Sequence, residues 1–296
     1  MSAAPPLSHT LATPDGETLA VFDWPAASGA APRGVVLIVH GLGEHARRYG
    51  HVAERLLALG FAVRAFDHHG HGASSGARGG LPTTGRLLDD LALVAGATRH
   101  AHPQLPLVLL GHSMGGLVAA AFVAHGLGPV DALVLSSPAL DPGIGRGQRL
   151  LIATLLRLAP GLRVGNGLDA DGLSHDREVV RAYREDPLTH DRIGPRLASF
   201  IADEGHAVQA AAPRWAVPTL LLYAGDDRLV KPAGSAAFAA AAPSSMVEAH
   251  CFPAHFHELF NELEAEPVFA ALESWLRRRA VQPFCSSPLS EASRSS

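Results

Sequence analysis

Gly111-His112-Ser113-Met114-Gly115 fits G-x-S-x-G, the spacing that a serine nucleophile for acyl transfer requires. The serine stands on a sharp strand-to-helix turn, and the glycines remove side chains that would collide there. The turn lifts the hydroxyl clear of the sheet. The following helix offers free N–H groups and its positive dipole end to a forming oxyanion. The bare pattern is weak, because Gly72-Ala73-Ser74-Ser75-Gly76 fits it as well. Context separates the two. Ser113 lies between an apolar run and a helical pattern, whereas Ser74 follows His68-His69-Gly70-His71-Gly72, with no strand before it and Pro82 soon after. That is loop chemistry. Ser113 is therefore the candidate nucleophile, the alternative being a plain helix N-cap.

A serine hydroxyl attacks only when a neighbouring base takes its proton, and histidine suits that role near neutral pH. An oxyanion needs donors as well. His40-Gly41-Leu42-Gly43 directly follows the first long apolar run, and such a turn leaves backbone N–H groups unpaired. The N–H groups of Leu42 and Met114 are the candidate oxyanion hole. With a nucleophile of this kind the acid comes next in the chain and the base last. The acid falls after the apolar run 219–225, where Asp226 and Asp227 both qualify. The base falls after MVEAHCF: His250 lies inside that strand pattern, while His255 and His257 share the turn beyond it, and spacing does not separate these two.

Two other chemistries are weighed and set aside. His45, His51, His68, His69 and His71 are dense, yet HHGH has no i,i+4 pair on a helix. His257-Glu258-Leu259-Phe260-Asn261 misses the last position of H-E-x-x-H. Gly41-Leu42-Gly43 lacks the third glycine of a dinucleotide fingerprint and carries Arg47 and Arg48 where small residues belong. No metal and no organic cofactor is implied.

The elements that must position these residues read as an alternation. Buried strands are predicted at 34–39, 61–66, 105–111, 131–137 and 219–225. One helix falls in RYGHVAERLLAL, with Tyr49, Val52, Ala53, Leu56 and Leu57 on one face. Another carries Leu87, Leu88, Leu91, Val94, Ala95 and Thr98 at helical spacing, a third follows Ser113, and a last opens at Pro267. Near-continuous apolar strands alternating with helices specify a mostly parallel sheet covered on both faces. Residues 141–213 interrupt this rhythm with Gly, Pro, Arg and Asp around one apolar helix at 150–158, and that length is too great for an ordinary crossover. The expected organisation is a core at 10–140 and 214–280, a cap at 141–213, and loose tails at 1–9 and 281–296.

The chain of 296 residues is 47% hydrophobic and 18% charged with a net charge of −4, which suits a large globular core and excludes a disordered chain. Its acidic balance and lack of a basic stripe argue against nucleic acid as a partner. Cys251 and Cys285 cannot form a disulfide framework. The N-terminus MSAAPPLSHT has no leader pattern and no run reaches a membrane span, so a cytoplasmic protein is expected, with peripheral membrane contact left open. Oligomeric state is not legible.

From about residue 13 to 279 the chain resembles the α/β-hydrolase superfamily, and within it the monoacylglycerol lipase and lysophospholipase group. The resemblance rests on HGLGEHARRY (40–49), FDHHGHGASSGARG (66–79), GHSMGG (111–116), DPLTHD (186–191), AGDDRLV (224–230) and FHELFNE (256–262), in that order. It implies an α/β-hydrolase fold with an inserted helical cap, and a serine hydrolase that cleaves carboxylic esters, monoacylglycerol to glycerol and fatty acid. By the same likeness the triad is Ser113, Asp227 and His257, since the family's acid precedes Arg-Leu and its base opens the His-Glu pair. Leu42 and Met114 keep their role, and Arg48 and His112 are implied as contacts to the glycerol end. The family's second motif carries Arg where this chain has His68. The apolar cap helix would line an acyl channel and touch micelles or bilayers, or else pack on the core. A lysophospholipase or short-chain carboxylesterase is the alternative, and further off a non-catalytic binding protein, which would normally have lost a triad member.

Overall fold

The computed structural model describes residues 5–25, 31–141 and 143–279. Its strands, in chain order, are β1 (Leu7–Ala12), β2 (Thr18–Trp24), β3 (Val35–Val39), β4 (Ala62–Phe66), β5 (Leu107–His112), β6 (Ala132–Ser136), β7 (Val164–Gly165), β8 (Arg192–Ile193), β9 (Thr219–Ala224) and β10 (Val247–Phe252). Its α-helices are α1 (Gly50–Ala58), α2 (Arg86–Ala101), α3 (Met114–Ala124), α4 (Arg146–Leu158), α5 (Arg177–Glu185), α6 (Pro195–Ala211), α7 (Pro232–Ala241) and α8 (Glu266–Arg279).

Eight strands form one sheet in the order β1-β2-β4-β3-β5-β6-β9-β10. The β1–β2 and β2–β4 pairs are antiparallel and all others parallel. Every residue of β3, β4, β5 and β6 is buried, as the unbroken apolar runs require of strands covered on both faces. Their side chains alternate between two cores. Leu37, Val39, Leu109 and Leu133 pack with α2, α3 and α6, while Val36, Ile38, Leu110 and Val134 pack with α1 and α8. The buried face of α2 contains all six expected residues, and α8 buries Val268, Phe269, Leu272, Trp275 and Leu276. Helix α3 is apolar all round and buried from Met114 to Phe122, so it is wedged into the core rather than laid upon it.

The expected N-terminal tail is corrected at one end. Residues 7–9 belong to β1, whose backbone pairs with β2 from Leu7↔Asp23 to Ala12↔Thr18. Thr13-Pro14-Asp15-Gly16 closes that hairpin: Gly16 takes a positive φ of 85° and Thr13 N–H bonds Glu17 O at 2.9 Å. Residues 1–4 and the expected tail at 281–296, with Cys285, lie outside the described residues.

Residues 141–213 leave the sheet after β6 and return before β9, carrying α4, β7, α5, β8 and α6. Helix α4 buries none of its residues, and Leu150 (71% exposed) and Leu158 (80%) project outward. No helix among the described residues is long and apolar enough to cross a membrane.

Candidate active site

Ser113 joins β5 to α3 with φ 54° and ψ −121°, in the left-handed half of backbone space that a residue with a Cβ enters at a cost of about 1–3 kcal/mol. The surroundings hold it there. Its N–H donates to Ser136 O at 2.9 Å, and its carbonyl accepts from Leu117 N and Ala139 N, both at 3.0 Å. A Cβ on Gly111 would stand 2.5 Å from Gly115 O, and one on Gly115 would collide with the carbonyls of Val39 and His40. The two glycines therefore allow the turn to close against the end of β3. Ser74 has a different occupation: its hydroxyl donates to Asp67 O at 2.6 Å and accepts from Ala20 N at 2.8 Å, tying a loop to β2.

The turn after β3 lies directly against Ser113, since a Cβ on Gly41 would stand 3.3 Å from Ser113 Cβ. Gly41 N–H donates to Glu44 Oε1 at 2.6 Å. Among the described residues no protein acceptor meets the next N–H, that of Leu42. Met114 is the first residue of α3, so its N–H is one of the orphan donors of a helix start. Gly43 sits at φ 75°, and its carbonyl accepts from His190 N at 2.9 Å and from Tyr183 Oη at 3.3 Å, so the insertion grips this turn.

His257 Nδ1 meets Asp227 Oδ2 at 2.7 Å, with both side chains buried. The other carboxylate oxygen accepts from the N–H groups of Leu229 and Val230, each at 2.9 Å. Burial alone would push the Asp227 carboxyl up, but the facing imidazole and those two N–H donors outweigh it and hold the group below the usual carboxylate range. The neighbours that spacing left open are engaged elsewhere. Asp226 pairs with Arg228 at 3.5 Å, His255 Nε2 meets Glu264 O at 3.0 Å, and His250 meets Glu248 at 2.9 Å. The His257 loop is pinned to the insertion by Glu258 N donating to Leu173 O at 2.8 Å.

Ser113 and His257 line one cavity of about 310 Å³, with Asp227 behind the imidazole. Ser113 Oγ makes no hydrogen bond to the protein among the described residues, which leaves it facing the cavity. His112 lines the same cavity; its Nδ1 meets Ser136 Oγ at 3.2 Å, and burial, then His257, push its imidazole down to about 4. Arg48 is not a lining residue. Its guanidinium lies between Glu44 (2.6 Å) and Glu258 (2.6 and 2.8 Å), and it stacks over the Tyr183 ring at 5.0 Å. Nor does α4 line the cavity; the insertion contributes Leu168, Leu173, Tyr183, Asp186, Thr189 and His190 instead. Glu44, Glu258 and Tyr183 are the polar residues that spacing missed. The signal for the first was Glu44 and Arg48 at i,i+4 beside a Gly-rich turn. Among the described residues no group of three or more His, Cys, Asp and Glu is arranged to hold a metal ion.

Residues 30–264 match the Hydrolase_4 family, described as serine aminopeptidase, S33. The chain is similar to the monoacylglycerol lipase of Mycolicibacterium smegmatis, 40% identical over 248 residues that span 83% of this chain and 88% of that one. It is similar to the monoglyceride lipase of Homo sapiens, 31% identical over 285 residues, 94% of this chain and 93% of that one. The crystal structure of the Paleococcus ferrophilus monoacylglycerol lipase superposes with a TM-score of 0.80 at 32% identity, covering 88% of this chain and 99% of that one. The open, mostly parallel sheet with helices on both faces is common to this chain and that structure. The chain therefore belongs to the Hydrolase_4 family of α/β-hydrolases and is a serine hydrolase.

Proposed function

We propose that the protein hydrolyses carboxylic esters, with a monoacylglycerol as substrate, through Ser113, His257 and Asp227. Ser113 Oγ attacks the ester carbonyl while His257 takes its proton; the tetrahedral intermediate collapses, and His257 returns that proton to the departing glycerol oxygen. Water, deprotonated by His257, then attacks the acyl-enzyme and releases the fatty acid with Ser113 restored. Asp227 fixes the imidazole's orientation and stabilises its cationic form. The N–H groups of Leu42 and Met114 receive the oxyanion. The observation that carries the reading is the 2.7 Å Asp227–His257 bond behind a cavity that Ser113 enters from a left-handed turn.

Residues 141–213 are proposed as a cap over the core at 10–140 and 214–280, with its last helix α6 packed into that core against α3 and with α4 as its lipid-facing element. Exposed Leu150, Leu151 and Leu158 support contact with a micelle or bilayer surface, where the substrate resides. An ester is favoured over a peptide. The relatives named as a monoacylglycerol lipase and a monoglyceride lipase support that choice.

The test is turnover of a monoacylglycerol series, lysophospholipids and p-nitrophenyl esters by wild type and Ser113→Ala. Monoacylglycerol turnover abolished in the variant is expected. Unchanged activity in Ser113→Ala removes the mechanism, and turnover of short esters alone moves the substrate to the carboxylesterase class.

A further inference from the structure

We propose that Arg48 is a positioning residue that, through Glu44 and Glu258, clamps the oxyanion turn to the loop bearing the base. The inference rests on the serine-hydrolase reading above. One guanidinium reaches two carboxylates, Glu44 four residues before it and Glu258 210 residues after it: Nη1 lies 2.6 Å from Glu44 Oε2 and 2.6 Å from Glu258 Oε1, and Nη2 lies 2.8 Å from Glu258 Oε2. Each carboxylate carries the connection onward. Glu44 Oε1 accepts from Gly41 N–H at 2.6 Å, one residue before the candidate donor Leu42, and from Tyr49 Oη at 2.6 Å. Glu258 directly follows His257, and its Oε2 also accepts from Asn261 Nδ2 at 2.7 Å.

Burying three charged side chains is expensive, and apolar replacements of similar volume are often as stable or more so, so fold stability is a poor reason for this cluster. Its members are buried: both glutamate side chains are 4% exposed and Arg48 12%. Burial pushes the Glu44 carboxyl up, but Arg48, then His112 and the bonds from Tyr49 and Gly41, together outweigh it and hold the group below its usual range. The geometry explains the expense. Gly41 is held from one side by Glu44, and Gly43 from the other by Tyr183 and His190, which leaves Leu42 N–H between two fixed points. Arg48 sets the distance from that N–H to the imidazole, the two groups that must act on opposite sides of one carbonyl.

The experiment compares wild type, Arg48→Met, Arg48→Lys and Glu258→Gln by ester kinetics, fluorophosphonate labelling of Ser113, and hydrogen–deuterium exchange over residues 40–46 and 255–260. Arg48→Met should lower kcat about 30-fold with KM within about threefold, because the lost positioning is felt in the transition state. Exchange in both segments should quicken together. Arg48→Lys, which keeps the charge but loses the fork onto Glu258 and the stack on Tyr183, should recover only part of kcat, falling between Arg48→Met and wild type. Glu258→Gln leaves the Glu44–Arg48 pair intact and serves if Arg48→Met does not fold; it should lower kcat about fivefold. Raised KM at wild-type kcat in Arg48→Met would make Arg48 a substrate contact and overturn the proposal. So would wild-type kcat and exchange in Glu258→Gln. If wild-type Ser113 neither labels nor turns over ester, the hydrolase reading fails, and the exchange data still decide the clamp: coupled loosening sustains it and unchanged exchange overturns it.

Discussion

The imidazole rings of His112 and His257 lie 4.7 Å apart, tilted by 55°, at the floor of one cavity. Two cationic imidazoles at that distance would repel each other strongly in a buried site. Burial first, and His257 second, push His112 down to about 4, so at neutral pH His112 is uncharged beside the proposed base. The acid limb of the kcat/KM profile should therefore fall with a slope of one below its midpoint, steepening only as the pH nears 4, where His112 is half charged. A slope of two between pH 5 and 6, measured in constant-ionic-strength buffers, would mean that both rings titrate together.

Asp227→Asn keeps an acceptor for Leu229 and Val230 but presents the wrong group to His257. By analogy with other serine triads, kcat should fall by about 10³–10⁴-fold while the fold survives. Asp226→Asn, which removes only an exposed pairing with Arg228, should keep kcat within about twofold. Steady-state rates with matching Tm values check both, and a wild-type rate in Asp227→Asn would transfer the role of the acid to Asp226.

Ser113 was legible because the elbow is local: Gly111, Gly115, an apolar strand before and an apolar helix after all lie within one window of sequence. The choice between Asp226 and Asp227, or His255 and His257, was not. Neighbours one or two residues apart have equal claims until a partner some 30 residues away selects one, as the Asp227–His257 bond does. The Arg48–Glu258 bond, on which the proposed clamp rests, was hidden for the same reason, since the two residues are 210 apart. The buried parallel strands read clearly because unbroken apolar runs have few other uses. Strand β1 did not, because LSHTLA is short and exposed at the sheet edge; the signal lay in the Pro-Asp-Gly turn that follows it. Helix α4 showed its apolar residues but not their destination, because periodicity names a face and not its partner.

If α4 meets a lipid surface, replacing its outward leucines should alter surface binding and leave stability alone. Leu150→Asp with Leu158→Asp should change Tm little, since substitutions at exposed positions usually stay within about 0.5 kcal/mol. The same variant should lose sedimentation with liposomes and the rise in rate above the micelle concentration of the substrate, while keeping its rate on a soluble p-nitrophenyl ester. Equal vesicle binding by variant and wild type would remove the lipid-facing role of this helix.

The histidines beneath the oxyanion turn make the fold sensitive to acid. His40 and His68 have ring centroids 4.5 Å apart, His40 and His71 5.4 Å, and His71 and His190 of the insertion 4.5 Å. Burial pushes all four below the ordinary imidazole value, His40 to about 3 and His190 to about 4. Arg78, facing His190, and the rings themselves add to the effect, while Glu44 opposes it at His68. Between pH 6.5 and about 4 the unfolded chain binds protons that the folded chain refuses, so stability is full above 6.5 and drains as pH falls. Asp90 works in the opposite sense, since burial raises it to about 6 and the folded state gains a proton there first. Burial raises Asp67 likewise, but the four imidazoles outnumber these two carboxyls, and Asp227 and Glu44, both held below their usual range, lose their contribution in the same direction as the imidazoles at lower pH. The urea midpoint should stay level from pH 8 to 7 and then fall between pH 6.5 and 4.5. His71→Phe, which removes one buried ring nitrogen pair, should make that fall shallower. A midpoint that holds steady to pH 5 in the wild type would show that these imidazoles find protons without unfolding the chain.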